Sequence, residues 1–231
     1  MAANQTKTAA LDFTTFHNVI DGQLTGPGTT YHTVNPANLE NNLGVPSSTL
    51  GDVNSAVEAA QRAAKSWAEV PWDDRKTAPG GFIAALEDLS DDFAQMLNKE
   101  QGKPVSIAAQ RLNSGPAVLT GNAFILKPSP FTPYCGLKMA ELGTGFFPPG
   151  IFQALSGEDE LGHMLSTHPG VEMVTLTGSV ETGKKVMAAC NATLKRVILE
   201  LGGNDAAIVC TPKNSDVRST AVWVQNGVLK A

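Results

Sequence analysis

The sequence predicts an α/β fold, with a parallel sheet flanked by helices occupying the second half of a 231-residue chain. Three observations predict it. Short apolar runs of strand length recur from Gly115 onward, at Ala123 to Leu126, Ile151 to Leu155, Val171 to Leu176, Val197 to Leu201 and Ala206 to Val209. Helical patterns lie between them, at Tyr134 to Leu142, Leu161 to Thr167 and Thr182 to Ala192. The joints are short and rich in Gly and Pro, as strand–helix–strand units require.

The first half has a different grammar. Residues 18 to 46 are rich in Gly, Pro, Asn and Thr and read as short strands and turns. A helix follows, with Asp52 placed to cap it and Val53, Ala56, Val57, Ala60, Ala63, Ala64 and Trp67 forming one apolar stripe. A second helical stretch runs from Asp74 to Gln101, weakened in its first turns by Gly80-Gly81 and ended by Gly102-Lys103-Pro104. The expected division is residues 1–114, strands and helices, and residues 115–231, the incomplete nucleotide-fold region, packed together as one unit.

Composition narrows the function classes. The net charge is −5 and no stretch gathers the Lys and Arg residues that a nucleic-acid binder needs. No run is apolar for long enough to span a membrane. The start, MAANQTKTAALDFTTFHNVIDGQ, lacks the charged-then-apolar order of a secretory signal. Cys135, Cys190 and Cys210 form no C-x-x-C pair, and His17, His32, His163 and His168 show no metal spacing. A cytoplasmic protein without a metal is expected, with its thiols buried and structural.

In parallel sheets ligands bind beyond the carboxyl ends of the strands, where Lys127, Ser129, Gly157, Gly178 and Glu200 fall. The stretch VTLTGSVETGKKV (174–186) is nearly the phosphate loop G-x-x-x-x-G-K-[ST], but Lys185 stands where the magnesium-binding hydroxyl belongs. Glycine after a strand and a helix N-terminus suit an anion, and Ser179 adds a hydroxyl donor. A tight turn that needs glycine for geometry alone explains the loop equally well. Lys127 reads either as a ribose or phosphate ligand or as a solvated strand-end lysine. Glu200, a lone acid between an apolar strand and Gly202-Gly203, reads either as a general base or as a paired structural acid.

Taken together, VIDGQ, TVNPANLE, DVNSAVEAAQRAAKSWAEVPWDDR, LNKEQGKP, GNAFILKPSPFTP, PPGIFQALSG, HPGVEMVTLTGSVETGKKVM and LKRVILELGGNDAAIV resemble the aldehyde dehydrogenase superfamily, in the family's order and over nearly the whole chain. The resemblance implies a Rossmann-like nucleotide-binding domain. It places Lys127 and Ser129 on the adenosine ribose of NAD or NADP, and Gly157 and Thr182 near the adenosine. Gly178 and Ser179 would meet the pyrophosphate. Ser129 stands where a glutamate often holds both ribose hydroxyls, which leaves room for a 2′-phosphate, so both cofactors stay open. Glu200 would activate water for thioester hydrolysis, and the backbone of Leu201 would meet the nicotinamide. The family mechanism is thiolate attack on an aldehyde, hydride transfer, then hydrolysis of the acyl-enzyme.

Two departures accompany the resemblance. RLNSGPAVLTGNAFILKP runs almost directly into the lysine strand, without the first nucleotide-fold strand or the Pro-Trp-Asn loop whose asparagine serves the oxyanion. Losing one such donor costs about a hundred- to a thousand-fold in rate. In AVWVQNGVLKA the expected glutamine is gone, and no cysteine follows Asn226-Gly227. The reading is therefore an oxidoreductase by descent, truncated, with dehydrogenase activity absent or very weak and a small-molecule ligand such as NAD(P). Alternatives are a repurposed isomerase or cyclase with Glu200 as acid/base and no required cofactor, or a truncated gene product without function. Self-association through an interface foreign to the family is expected from exposed apolar surface.

Overall fold

The structure, a computed structural model, describes residues 11–26, 28–102 and 115–203, together with 218, 219 and 221. The expected strand Ala206 to Val209 and Cys210 lie outside the described residues.

The Gly- and Pro-rich start forms four short strands, β1 (Asn18–Ile20), β2 (Gln23–Thr25), β3 (Thr29–Val34) and β4 (Asn41–Ser47). They pair as two antiparallel hairpins, β1 with β2 and β3 with β4. Helix α1 (Leu50–Glu69) follows, and its cap differs from the expectation. Thr49 is the N-cap; its hydroxyl accepts from the Asp52 backbone N–H at 3.3 Å, while the Asp52 carboxylate accepts from the Thr49 N–H at 2.7 Å. Asp52 therefore closes a capping box from inside the helix rather than starting it. Val53, Ala56, Val57 and Trp67 of the expected stripe are buried.

The long second helix is two. Helix α2 (Trp72–Asp88) and helix α3 (Ser90–Gln101) share Leu89 as their junction, with φ −99° and ψ 12°. Asp91 and Asp92 supply the negative charge that a new helix N-terminus favours. Gly102, at φ +67°, ends α3 in the left-handed conformation that a residue without Cβ adopts at little cost.

Beyond residue 114 come α4 (Gly115–Leu119), β5 (Phe124–Leu126), α5 (Tyr134–Gly143), β6 (Phe152–Ala154), α6 (Asp159–Thr167), β7 (Met173–Gly178), α7 (Val180–Asn191) and β8 (Arg196–Leu201). The α/β class is as the sequence predicts, and each expected helix and each described strand is present. The single parallel sheet is not. β5 and β6 pair in parallel, and β1 adds antiparallel to β6 at Val19 opposite Ala154, giving the order β2-β1-β6-β5. β7 and β8 form a separate parallel pair, in register from Met173 opposite Arg196 to Gly178 opposite Leu201. Among the described residues, β5 pairs only with β6 and β7 only with β8. The residues just before β5 form α4 and a turn, so no strand arises there to join the two pairs.

Helices connect what the strands do not. Phe82, Phe147 and Phe152 stack edge to face with centroids 5.4–5.9 Å apart, in a core shared by α2, α5 and β6. A second cluster, Ile20, Val53, Ala56, Val57, Leu155 and Leu161, lies where α1 meets α6. Helix α6 packs on both α1 and α7, and so carries the β7–β8 pair. Leu199 and Leu201 sit under Gly183 of α7. The opposite face of that pair is open, and its Met173 and Ile198 are 41% and 44% exposed.

One buried polar knot joins the halves. Asn18 donates from Nδ2 to Ser48 Oγ at 3.0 Å, and its Oδ1 accepts from the Ser156 N–H at 2.8 Å. Ser48 returns two bonds to the Ser156 carbonyl, 2.9 Å from its N–H and 2.8 Å from its hydroxyl, and Ser156 Oγ donates to Pro46 O. Asn18→Ala strands several buried groups at once and should cost about 2–4 kcal/mol in urea unfolding. The paired glycines of α2 should part company in the same experiment. A Cβ on Gly80 meets nothing within 4 Å, so Gly80→Ala should add about 0.5–1 kcal/mol. On Gly81 a Cβ would lie 3.1 Å from the Phe146 ring, and Gly81→Ala should lose part or all of that gain.

Candidate functional site

The expected site residues fall in two groups of loops, on elements that pack on α6. The first follows β5. Lys127 is half-buried, its stem laid along α6, with Cε 3.6 Å from where a Cβ on Gly162 would stand. Its ammonium donates one long bond, 3.4 Å, to the Pro128 carbonyl. Burial lowers its pKa below the ordinary lysine value, and Asp159 in the first turn of α6 counters that shift by favouring the charged form. Ser129 is exposed; its hydroxyl accepts from the Phe131 N–H at 3.3 Å and its carbonyl from Thr132 at 3.1 Å. The turn leaves the Ser129 O–H hydrogen unused by those bonds.

Gly157 follows β6, directly after the knotted Ser156, and is buried. A Cβ there would come within 3.0 Å of Leu161, so the chain lies close on the start of α6.

The second group is the β7–α7 turn. Ser179 is the N-cap, with φ −72° and ψ 155°, and its Oγ accepts from the Thr182 N–H at 3.1 Å. The Thr182 hydroxyl lies 3.0 Å from the same oxygen. Gly178 would present a Cβ to nothing beyond its own strand neighbour Leu176, so the backbone before the cap is open to approach. Its carbonyl accepts from the Gly202 N–H at 3.0 Å, which ties the end of β8 to this turn. Lys185, the odd member of the phosphate-loop pattern, forms an exposed i,i+4 pair with Glu181 at 3.0 Å. The hydrogen bond from Lys185 and then its charge hold the Glu181 carboxyl below its usual range.

Glu200 and Leu201 go to opposite faces. Glu200 is the fifth residue of β8 rather than beyond its end, opposite Thr177 and exposed on the open face. Leu201, opposite Gly178, turns under α7 against Gly183. The structure thus brings Lys127 and Gly157 against α6, through Gly162 and Leu161, and holds Gly178, Ser179 and Thr182 together in the β7–α7 turn. Sequence reasoning missed Asp159, which acts on both Lys127 and Lys185. Its signal was the acidic run Glu158-Asp159-Glu160 that follows Gly157 directly.

The described cysteines are not nucleophiles. Cys135 is buried with its Sγ 3.7 Å from the Phe93 carbonyl, and burial and then the Glu100 charge push its thiol up. Cys190 is buried against the Ser166 carbonyl, and burial raises its pKa while Lys195 lowers it. Among the described residues no group of three His, Cys, Asp or Glu side chains is placed to hold a metal ion. No helix among them is long and apolar enough to cross a membrane.

Comparison with known proteins agrees on one lineage. The model of the family described as Aldehyde dehydrogenase family matches residues 24–115 and 111–230. The chain is 34% identical over 265 residues to the aldehyde dehydrogenase LUC3 of a Fusarium species, across 94% of this chain and 57% of that protein. That match is longer than the 231 residues of the chain, so the relative carries residues with no counterpart here. A crystal structure of aldehyde dehydrogenase AldC from Pseudomonas syringae, a variant holding NAD+ and octanal, superposes with TM-score 0.78 at 25% identity, over 85% of this chain and 52% of that one. An NADP-dependent enzyme of E. coli gives TM-score 0.78 at 25% identity, over 83% and 52%. The chain spans little more than half the length of these relatives.

Lys127 pays a desolvation cost at its position without a close carboxylate bond to offset it. Lys127→Met keeps the apolar stem and removes the charge, so its melting temperature should equal or exceed that of the unaltered chain. A lysine with a structural role would lower it.

Proposed function

The chain belongs to the aldehyde dehydrogenase family, and from that premise we propose that it forms the family's dinucleotide-binding region and does not by itself oxidise aldehydes. The observation that carries the first half is the placement of Lys127 beside the start of α6. A lysine kept half-buried at a strand end, with one long hydrogen bond, suits a ligand better than it suits the fold.

The residues present fit NAD(P). Lys127 and the Ser129 hydroxyl would donate to ribose oxygens, and Gly157 leaves the chain low enough for an adenosine to lie over α6. Ser179 would face the pyrophosphate, with the open backbone at Gly178 admitting it and the α7 N-terminus adding partial positive charge. Thr182 holds the Ser179 hydroxyl in position. The Leu201 backbone, in register with Gly178, would meet the nicotinamide. Bound NAD(P)+ supplies a hydride acceptor.

The second half rests on the thiols and on the junction near residue 111. Family oxidation needs an accessible thiolate, and Cys135 and Cys190 are buried with raised pKa values. The two family matches meet at residues 111–115, just before β5, where the oxyanion loop of longer members would enter. Glu200 is exposed on the open face of β8, whereas an acid/base for an isomerase or cyclase works in a cleft that holds its substrate. That reading therefore stands second.

Titration of the full chain with NAD+ and NADP+, followed by melting temperature and by NAD(P)H fluorescence, tests the proposal. Saturable binding is expected, weakened at least about tenfold by Lys127→Met through loss of a charged hydrogen bond. No NAD(P)H should form from simple aldehydes. No melting shift at millimolar nucleotide sinks the first half, and robust NAD(P)H production sinks the second. A cooperative melt of soluble protein counts against a non-functional gene product.

A further inference from the structure

We propose that the open face of the β7–β8 pair is the surface through which two copies of this chain associate, antiparallel and about a twofold axis that passes between their Ile198 side chains. The inference does not depend on the dinucleotide reading.

The pleat defines the face. Side chains alternate along each strand, so Met173, Thr175 and Thr177 of β7 share one side with Arg196, Ile198 and Glu200 of β8, and all six are exposed. They stand in three cross-strand pairs: Met173 beside Arg196, Thr175 beside Ile198, and Thr177 beside Glu200. On the other side Leu199 and Leu201 pack under Gly183 of α7. The pair therefore has one face covered by its own helix and one face bare, with an isoleucine at the centre of the bare one.

Arg196 and Glu200 decide what fits there. Four residues apart on one strand, they are separated by about 13 Å and cannot pair with each other. Among the described residues neither takes part in an ion pair. Along its exposed side β8 presents cation, isoleucine, anion. A second copy turned by 180° about an axis across the strands presents anion, isoleucine, cation. Each Arg196 then faces the Glu200 of the other copy, Ile198 meets Ile198, and Met173 lies over the Thr177 methyl. Sheets packed face to face stand roughly 10 Å apart, a gap that an arginine and a glutamate close together. Turning the copy about an axis along the strands would put Arg196 over Met173 and Glu200 over Thr177, with both charges unpaired. An acidic or basic partner would suit one end of β8 and be repelled at the other, and an apolar partner would bury both charges. The chain as a whole carries −5, so its copies repel one another except across a neutral face, and this face is neutral. Six residues make a small patch beside the roughly 800 Å² per partner of a standard interface, so the dimer is weak, with a dissociation constant on the order of 10–100 µM.

Sedimentation equilibrium of the full chain over a range of concentrations tests this, with charge reversals to read the register. A reversible monomer–dimer equilibrium is expected, weakened by salt. Arg196→Glu sets glutamate against glutamate and Glu200→Arg sets arginine against arginine, so each alone should weaken the dimer at least about tenfold. Mixing the two variants makes opposite charges face each other again, and the mixture should dimerise within a few-fold of the unaltered chain. The double variant Arg196→Glu/Glu200→Arg should do the same. All the altered residues are exposed, and a melt of each variant confirms that it folds. Ile198→Lys should give a monomer whose melting temperature in dilute solution matches that of the unaltered chain. A chain that stays monomeric up to about 0.5 mM, well above the dissociation constant of a weak interface, overturns the inference. So does a dimer that the single reversals leave unchanged, or one that neither the mixture nor the double variant restores. A monomer destabilised by Ile198→Lys would show that another part of the chain covers the face, and overturns it as well.

Discussion

The arrangement of the site depends on one buried side chain far from it in sequence. Asn18 spends both ends of its amide on Ser48 and Ser156, and Ser48 closes the triangle with two bonds to the Ser156 carbonyl. All three residues are buried, so each bond that is not made leaves a polar group without water. Such a knot is satisfied as a whole or costly as a whole. It holds the edge of β1, the entry to α1 and the exit of β6 in one place. Gly157 is the next residue, and α6 starts two residues later; their position is inherited from the knot.

Helix α6 then distributes that position. It supplies the surface on which the Lys127 stem lies, offers Asp159 at its first turn, and packs against α7. Lys195 reaches back to the His168 carbonyl at 2.6 Å, and Gln61 of α1 donates to Gly170 at 3.1 Å, so the loop after α6 is held from both sides. These bonds place the β7–β8 pair in the absence of a strand ladder to β5. A two-stranded parallel pair has little stability alone. Here it leans on α7 through Leu199 and Leu201, and leaves its other face, with Met173, Ile198 and Glu200, open.

Much of this was legible in the sequence where the physics is local. The α1 stripe follows from a 3.6-residue period, whereas Ser179, read from the sequence as a hydroxyl donor, is the N-cap of α7 and accepts from the Thr182 N–H. The misreadings are equally instructive. Asp52 and Thr49 are both good caps, and which one starts the helix depends on where β4 delivers the chain. The break at Leu89 leaves no Gly or Pro mark, because a single residue near φ −99° bends the rod while the hydrogen bonds on either side continue. Glu200 and Lys127 both read as strand-end polar residues, yet one is exposed on a bare face and the other half-buried against a helix. Asp159 carried a visible signal, an acidic run, but Lys127, whose charged form it favours, is 32 residues earlier in the chain.

By itself, the sequence determined the α/β class, the helices and their faces, the β-to-α turns and the family to which the chain belongs, because periodicity, capping and motif order act over a few residues. The tertiary structure alone decided that the described parallel strands form two separate pairs, that Glu200 faces outward and that the Lys127 stem lies along α6. Strand order and side-chain neighbourhood are set by contacts between residues distant in the chain, and no local pattern encodes which of two strand ends a helix will be packed against.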